Sequence, residues 1–283
     1  MRRSWISILF LMFFVSNVSA AQGQKSIQIK GSDTMVNLGQ AWAEAYMEKH
    51  ADSLVAVTGG GSGTGIAALL NKTCDIASSS RKIKDKEIEL AQKNNVAPKE
   101  IKVALDGLAV VVSPENPVSQ LTIDEVADIF TGKIKNWKAV GGDNLPIVIL
   151  SREVNSGTHV YFKEHVLRKG NEKGPEEFAE SALLMSSSQA IADEITQNKN
   201  AIGYYGMGYI NETQKALAIA KDKNSPYVKP TIENVVNGSY YISRPLFLYT
   251  NGEPAGLIKD FIDFVLSKEG QEIVRVVDFV PLP

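Results

Sequence analysis

The spacing of apolar and polar positions changes period repeatedly along the chain. Residues 26–30 (SIQIK) alternate as a strand does. In the segment after them, Leu38, Ala41, Trp42, Ala45 and Tyr46 fall at i, i+3, i+4, i+7 and i+8, one face of a helix. Residues 54–57 read as a strand, Ile66, Leu69 and Leu70 mark a second helix, and residues 75–77 make a third strand. Residues 108–112 form a near-continuous apolar run, the pattern of a strand covered on both faces. Helix and strand follow at 122–130 and 147–150, a helical pattern at 156–166, and a helix carrying Ile191 and Ile195 with Ser188 as its cap. Residues 201–205 and 246–250 are further strands, and Leu257, Phe261, Phe264 and Val265 make the apolar face of a final helix. Strands and helices in alternation predict an α/β fold with mostly parallel sheets. The apolar runs near 108 and 246 bracket a middle region and read as crossings between two lobes. Lobe I is then 21–107 plus 246–283, with the C-terminal helices returning to it, and lobe II is 108–245.

The first twenty residues follow another rule. Arg2 and Arg3 precede an apolar run over 5–15, and Val18-Ser19-Ala20 stands before Ala21. A basic start, a short apolar stretch and a small-x-small end predict a secretory signal cut after Ala20. A membrane helix needs about 20 apolar residues, and this run has roughly half of that. The expected location is a bacterial periplasm. Cys74 is the single cysteine, so an intrachain disulfide is excluded, and no cysteine follows the cleavage site to carry a lipid. Loss of Arg2 and Arg3 moves the formal net charge from -2 to about -4. A mildly acidic chain without basic blocks argues against nucleic acid as a partner. Any anion must be held by local donors, not by bulk charge.

Three stretches offer such donors: Gly31-Ser32-Asp33-Thr34, the glycine run from Gly59 to Gly65 that contains Ser62 and Thr64, and Asn155-Ser156-Gly157-Thr158-His159 just after Arg152. Each precedes a helical pattern, where unpaired backbone N–H groups and a partial positive charge suit an anion. Serine and threonine add hydroxyls, and Arg152 adds a planar fork able to hold two oxygens. Hydrogen bonds to a charged partner contribute about 1.5–3 kcal/mol each, so several around one oxyanion reach micromolar affinity or better. Taken singly, Ser32, Ser62 and Ser156 read first as ordinary N-caps; three such stretches, one following an arginine, point instead to a site.

Other meanings of these residues fail on spacing. The glycine run lacks the Gly-Lys-Ser/Thr end of a P-loop, and the third glycine of G-x-G-x-x-G would fall on Ile66. The nucleophile elbow G-x-S-x-G breaks at Thr64. Ser79-Ser80-Arg81-Lys82 matches S-x-x-K, but no K-T-G accompanies it. His50, His159 and His165 have no zinc-ligand spacing, and His159 reads as a helix-surface histidine. No catalytic residue, metal or cofactor is expected.

The motifs resemble those of the periplasmic phosphate-binding proteins that feed bacterial phosphate ABC transporters, the PstS-like family. The resemblance runs from Gly31 to about Tyr209. Its most specific element is Arg152 followed four residues on by Ser156-Gly157-Thr158; the Gly-Ser-Gly-Thr-Gly run, residues 71–77 and residues 200–204 add to it in the same order. It implies a two-lobe type II periplasmic-binding-protein fold, a non-enzymatic monomer, phosphate dehydrated in the cleft, and a membrane permease as partner. By matching motif, Thr34 and the backbone near Met35, then Ser62, then Arg152, Ser156, Gly157 and Thr158 would hold the anion, with Ser32 as an extra donor. One position departs. Family members carry an aspartate where this chain has Ser80 followed by Arg81. Discrimination against sulfate then needs another carboxylate such as Asp33, and Arg81 either contacts the anion or pairs with Asp33. Two other functions stay open on the residues alone: binding of sulfate, molybdate or tungstate, and a secreted serine hydrolase using Ser62 or Ser79.

Overall fold

The computed structural model describes residues 25–283; the expected leader over 1–20 lies outside the described residues. The chain begins with β1 (Lys25–Gly31), α1 (Val36–Lys49), β2 (Ser53–Thr58), α2 (Ser62–Leu70), β3 (Ile76–Ser79) and α3 (Asp85–Lys93). The long strand β4 (Pro98–Val112) leads to β5 (Gln120–Thr122), α4 (Ile123–Phe130), β6 (Val148–Arg152), α5 (Gly157–Phe162), β7 (Leu183–Met185), α6 (Ser188–Gln197) and β8 (Ala201–Gly206). Short pieces follow, β9 (Lys215–Ala216), β10 (Ala218–Ala220) and α7 (Ile232–Val236), before β11 (Ser243–Asn251), α8 (Gly256–Leu266) and α9 (Lys268–Val276).

One curled sheet runs β2-β1-β3-β11-β4-β8-β6-β7. Its two ends are parallel, β1 beside β2 and β3, and β6 beside β7 and β8. Its middle is antiparallel, because β11 pairs with both β3 and β4, and β4 pairs with β8. The sheet is therefore mixed, and the parallel pattern expected from alternation holds only within each end. β4 changes partner along its length: Pro98–Gly107 faces β11, and Leu108–Val112 faces β8.

Each end has its own core. Ile27, Leu38, Trp42 and Tyr46 pack with Phe261, Val265 and Val274, so the C-terminal helices cover the N-terminal strands. The Trp42 indole N–H donates to the Gly270 carbonyl across that seam (2.8 Å). Leu108, Phe130, Trp137, Phe162, Tyr204 and Tyr240 belong to the second core. Each fully buried large side chain contributes about 1.5–3 kcal/mol, so two cores of this size hold two lobes.

Several elements escape the periodicity for physical reasons. α3 (DKEIELAQK) buries only Ala91, and so carries no apolar stripe to read. The first half of β4 holds Lys99, Glu100 and Lys102, which interrupt the apolar run. The helix from residue 156 tightens into α5 and then widens into a π turn over Lys163–Leu167. Ser187, not Ser188, caps α6 by accepting the Ala190 N–H (3.0 Å). No helix among the described residues is long and apolar enough to cross a membrane.

Candidate functional site

The three donor stretches stand at three strand-to-helix turns. β1 ends at Gly31, where a Cβ would lie 2.1 Å from the Ser78 carbonyl oxygen, so only glycine lets β1 and β3 approach. The Ser32 N–H donates to that same carbonyl (2.8 Å), and the Met35 N–H donates to the Ser32 carbonyl (3.0 Å). The tight turn Asp33–Met35 turns Thr34 inward and sends the Met35 side chain into the lobe I core. The Gly61 N–H donates to the Gly31 carbonyl (2.8 Å), which ties the glycine-rich turn to the first one. In the third stretch Ser156 caps α5, accepting from Thr158 N–H (3.2 Å) and His159 N–H (3.4 Å). The cap reading of Ser156 is thus realised; Ser32 makes no side-chain cap bond, and Ser62 lies inside α2.

These stretches converge. The Thr34 and Thr158 hydroxyls share a hydrogen bond of 2.7 Å between two lobes. The Ser62 hydroxyl accepts from Ser80 N–H (3.0 Å) and lies 3.3 Å from the Ser80 hydroxyl. Gly157 packs against both: a Cβ there would stand 2.3 Å from Ser62 Oγ and 2.7 Å from Ser80 Oγ. Ser32, Thr34, Ser62, Ser80, Arg152, Ser156 and Thr158 are each at most 2% exposed. Beside them Asn155 forms a clasp, its Nδ2 donating to the Gly60 carbonyl (2.9 Å) and its own carbonyl accepting from Gly63 N–H (3.0 Å).

The charges are arranged differently from expectation. Arg152 makes a 2.9 Å ion pair with Asp33, which also accepts the Ser188 N–H (2.7 Å). Asp33 therefore faces the other lobe and makes no N-cap bond. The Arg152 guanidinium further donates from Nε to the Met185 carbonyl (3.3 Å), from Nη1 to Ser188 Oγ (3.0 Å) and from Nη2 to the Ser186 carbonyl (3.0 Å). Its expected free fork is thus occupied by protein groups. Arg81 does not pair with Asp33. Its two terminal nitrogens grip Glu87 (2.8 and 2.7 Å), because α3 brings that carboxylate to the turn after β3. Burial alone would push the Glu87 carboxyl up, but the hydrogen bonds from Arg81 and the Lys84 backbone hold it below the ordinary range.

A second buried pair went unread in the sequence. Asp106 and Arg244 occupy partner positions on β4 and β11. Asp106 Oδ2 accepts from Arg244 Nε (3.0 Å) and Nη2 (2.9 Å), and its other oxygen accepts the Met207 N–H (3.1 Å). Burial raises the Asp106 carboxyl above the usual range, against the pull of Arg244. Arg244 Nη2 also reaches Thr158 Oγ1 (2.9 Å) and Thr34 Oγ1 (3.4 Å), and the Tyr161 ring lies 5.5 Å from the guanidinium. A signal did exist: one aspartate sits alone in an apolar run, and an interior carboxylate calls for a buried cation. His159 departs from its expected helix-surface position. It is buried, not on a helix surface, and its Nδ1 lies 2.8 Å from the Arg152 carbonyl. A carbonyl only accepts, so Nδ1 carries the proton, while burial brings the imidazole down to about 4.

A recess of about 330 Å³ lined by Leu69, Lys72, Cys74, Asp75 and Ile258 lies elsewhere and shares no residue with this set. Convergent buried donors locate the site better than concavity does, because lobes in hydrogen-bond contact leave little open hollow. Among the described residues no group of three or more acidic, histidine or cysteine side chains is placed to hold a metal.

Comparison with known proteins agrees with this geometry. Residues 16–269 match the PBP superfamily domain. The phosphate-binding protein PstS of Pseudomonas aeruginosa is 34% identical over 270 residues, covering 89% of this chain and 82% of that protein. The PstS of Bacillus subtilis is 33% identical over 275 residues, covering 94% and 85%. A phosphate ABC transporter substrate-binding protein from Clostridium perfringens, solved with bound phosphate, superposes with a TM-score of 0.82 at 34% identity, covering 92% of this chain and 100% of that one.

Proposed function

From the premise that the chain belongs to the PBP superfamily, and within it to the PstS-like phosphate-binding proteins, we propose that it captures inorganic phosphate between its lobes and delivers it to the permease of an ABC importer. The observation that carries this reading is the meeting of hydroxyls from both lobes at one buried seam, Thr34 with Thr158 and Ser62 with Ser80 against Gly157. Ligands drawn from two bodies favour the closed state, since neither body alone completes the shell. Thr34, Ser62, Ser80, Gly157 and Thr158 would line the anion, with Ser32, the Met35 backbone and Ser156 fixing the turns. Arg152 and Asp33 add a charge pair, with Asp33 the carboxylate available to receive a phosphate proton in place of the aspartate that Ser80 replaces. Arg81, gripped by Glu87, supplies field and not a fork.

We place the lobe boundaries where β4 changes partner, with lobe II over 108–245 and lobe I over 21–107 and 246–283. The protein works without bond chemistry, as a monomer, in the periplasm after removal of residues 1–20. A hydrolase would need a base beside its serine. His159 meets Ser151 (3.3 Å), and Ser79 Oγ donates to the Arg81 carbonyl (2.6 Å).

The test is calorimetric titration of the mature chain with phosphate at acid and alkaline pH, each repeated in excess sulfate. Tight binding that sulfate cannot block is expected at both pH values. Easy displacement by sulfate would replace phosphate with another oxyanion, and no heat with any of them would end the reading.

A further inference from the structure

The buried arginines near the seam differ in what they leave free. Every nitrogen of the Arg152 guanidinium already meets a protein group, and both terminal nitrogens of Arg81 are held by Glu87. Arg81 Nε has no partner among the described residues, but it is a single N–H and cannot make a fork. Arg244 is the exception. Its Nη1, with two N–H groups, is buried and has no hydrogen-bond partner among the described residues.

The planarity of the group fixes where that nitrogen faces. Nη2 carries two hydrogens in the guanidinium plane. One runs parallel to Nε–H, and the two together meet Asp106 Oδ2 (2.9 and 3.0 Å). The other lies on the edge shared with Nη1 and meets Thr158 Oγ1 (2.9 Å) and Thr34 Oγ1 (3.4 Å). The Nη1–Nη2 edge is therefore turned to the threonine pair at which the lobes meet. A buried donor without an acceptor is costly, and a charged Nη1 beside the threonine pair is placed to donate to an oxygen of a tetrahedral oxyanion held there.

Resting on the phosphate reading above, we infer that Arg244 is a direct ligand of the bound anion, donating from its free Nη1, and that Asp106 is the positioning residue that aims it. The strand pairing supports this division. Asp106 and Arg244 are register partners on the two strands that join the lobes, so Nη1 is aimed before closure. Asp106 takes the Nε side, the threonines take the second Nη2 hydrogen, and Nη1 is left for the ligand. Hydrogen bonds from Arg244 also set the polarity of the threonines. Since Arg244 only donates, neither hydroxyl can donate to it; one donates to the other, and the remaining proton is free for the anion.

The experiment titrates phosphate into the wild-type mature chain, into Arg244→Lys, and into the paired variant Asp106→Asn with Arg244→Met, with a thermal midpoint for each. The pair removes both charges together, which avoids stranding one of them in the interior. Arg244→Lys keeps a cation for Asp106 but loses the planar group that carries a second nitrogen to the anion. The expected weakening is about a hundredfold for the pair and at least about tenfold for the lysine. A structure of the phosphate complex should place Arg244 Nη1 within about 3.2 Å of a phosphate oxygen. Folded variants that bind within about threefold of wild type, or a complex with Arg244 Nη1 beyond about 3.5 Å from every phosphate oxygen, overturn the assignment while leaving phosphate as the ligand. Should the pair fail to fold, Arg244→Lys decides by the same criteria. A wild-type chain that takes no phosphate overturns the functional reading first, and this inference with it.

Discussion

Asp33 and Arg152 meet across the cleft, one from the turn after β1 and the other from the end of β6, at 2.9 Å. Asp106 and Arg244 also meet at 2.9 Å, but as register partners on β4 and β11. Parting of the lobes breaks the first pair and hydrates both of its charges. The second is held by the pairing of the two strands that join the lobes. The same chemistry thus does two jobs: a pair spanning two bodies reports closure, whereas a pair within one ladder sets geometry. An exposed pair contributes little, about 0–1 kcal/mol, so the cross-cleft pair adds to stability only once closure has removed water from it.

The sharpest way to break this contrast is to remove one partner from each pair. Asp106→Ala leaves Arg244 uncompensated in the interior and should cost about 3–5 kcal/mol of stability, read as a large fall in the thermal midpoint of the ligand-free protein. Arg152→Ala should weaken phosphate binding by about a hundredfold or more in calorimetry, as a side chain 1% exposed and bonded to Met185, Ser186 and Ser188 is lost. Equal losses of ligand-free stability in the two variants would contradict the distinction between latch and ladder.

Acid probes the Arg152 side from behind. His159 holds the Arg152 carbonyl and has its imidazole brought down to about 4 by burial. Between about 4 and the unfolded value near 6.5, the unfolded chain binds a proton that the folded chain refuses. Stability therefore falls as pH drops through that window and levels off below it, by up to roughly 3 kcal/mol. His159→Gln, which keeps a neutral donor, should flatten the fall in thermal midpoint between neutral pH and about pH 4. A wild-type profile as flat as the variant's would remove His159 from this account.

Asp33→Asn tests closure more gently. It keeps an acceptor for the Ser188 N–H but removes the charge facing Arg152. Phosphate affinity should drop about tenfold while the ligand-free thermal midpoint stays within a degree or two, since the pair contributes only when the lobes are shut. A large loss of ligand-free stability would mean that the lobes are held together without ligand.

The unequal legibility of these features has a physical cause. Thr34, Ser62 and Thr158 sit in local turns of glycine and hydroxyl residues, and local chemistry is written in consecutive letters. The Asp33–Arg152 pair joins residues far apart in the chain, so the sequence offers each as a candidate without naming the partner. Asp106 and Arg244 are harder still, because only the register of β4 against β11 brings these two distant residues together. Arg81 pairs with Glu87 because α3 forms there, and α3, with a single buried residue, has no periodicity to announce it. The two lobes were legible because Ile27, Trp42 and Phe261 on one side, and Leu108, Phe130 and Tyr204 on the other, stand in strong apolar patterns.

The smallest effect is expected at the clasp. Asn155 reaches over the cleft to Gly60 and Thr64, and its own carbonyl takes the Gly63 N–H. Gly61, at φ 98°, leaves no room for a side chain there, since a Cβ would lie 2.8 Å from that carbonyl oxygen. Asn155→Ala removes the side-chain bonds and keeps the backbone one, so the closed state should lose about 1 kcal/mol. Phosphate would then bind several-fold more weakly, with most of the change in the dissociation rate by stopped flow, because the clasp forms after the anion has arrived. A change confined to the association rate would instead make Asn155 part of the path by which the anion enters, and would move the contrast between latch and ladder away from this side of the cleft.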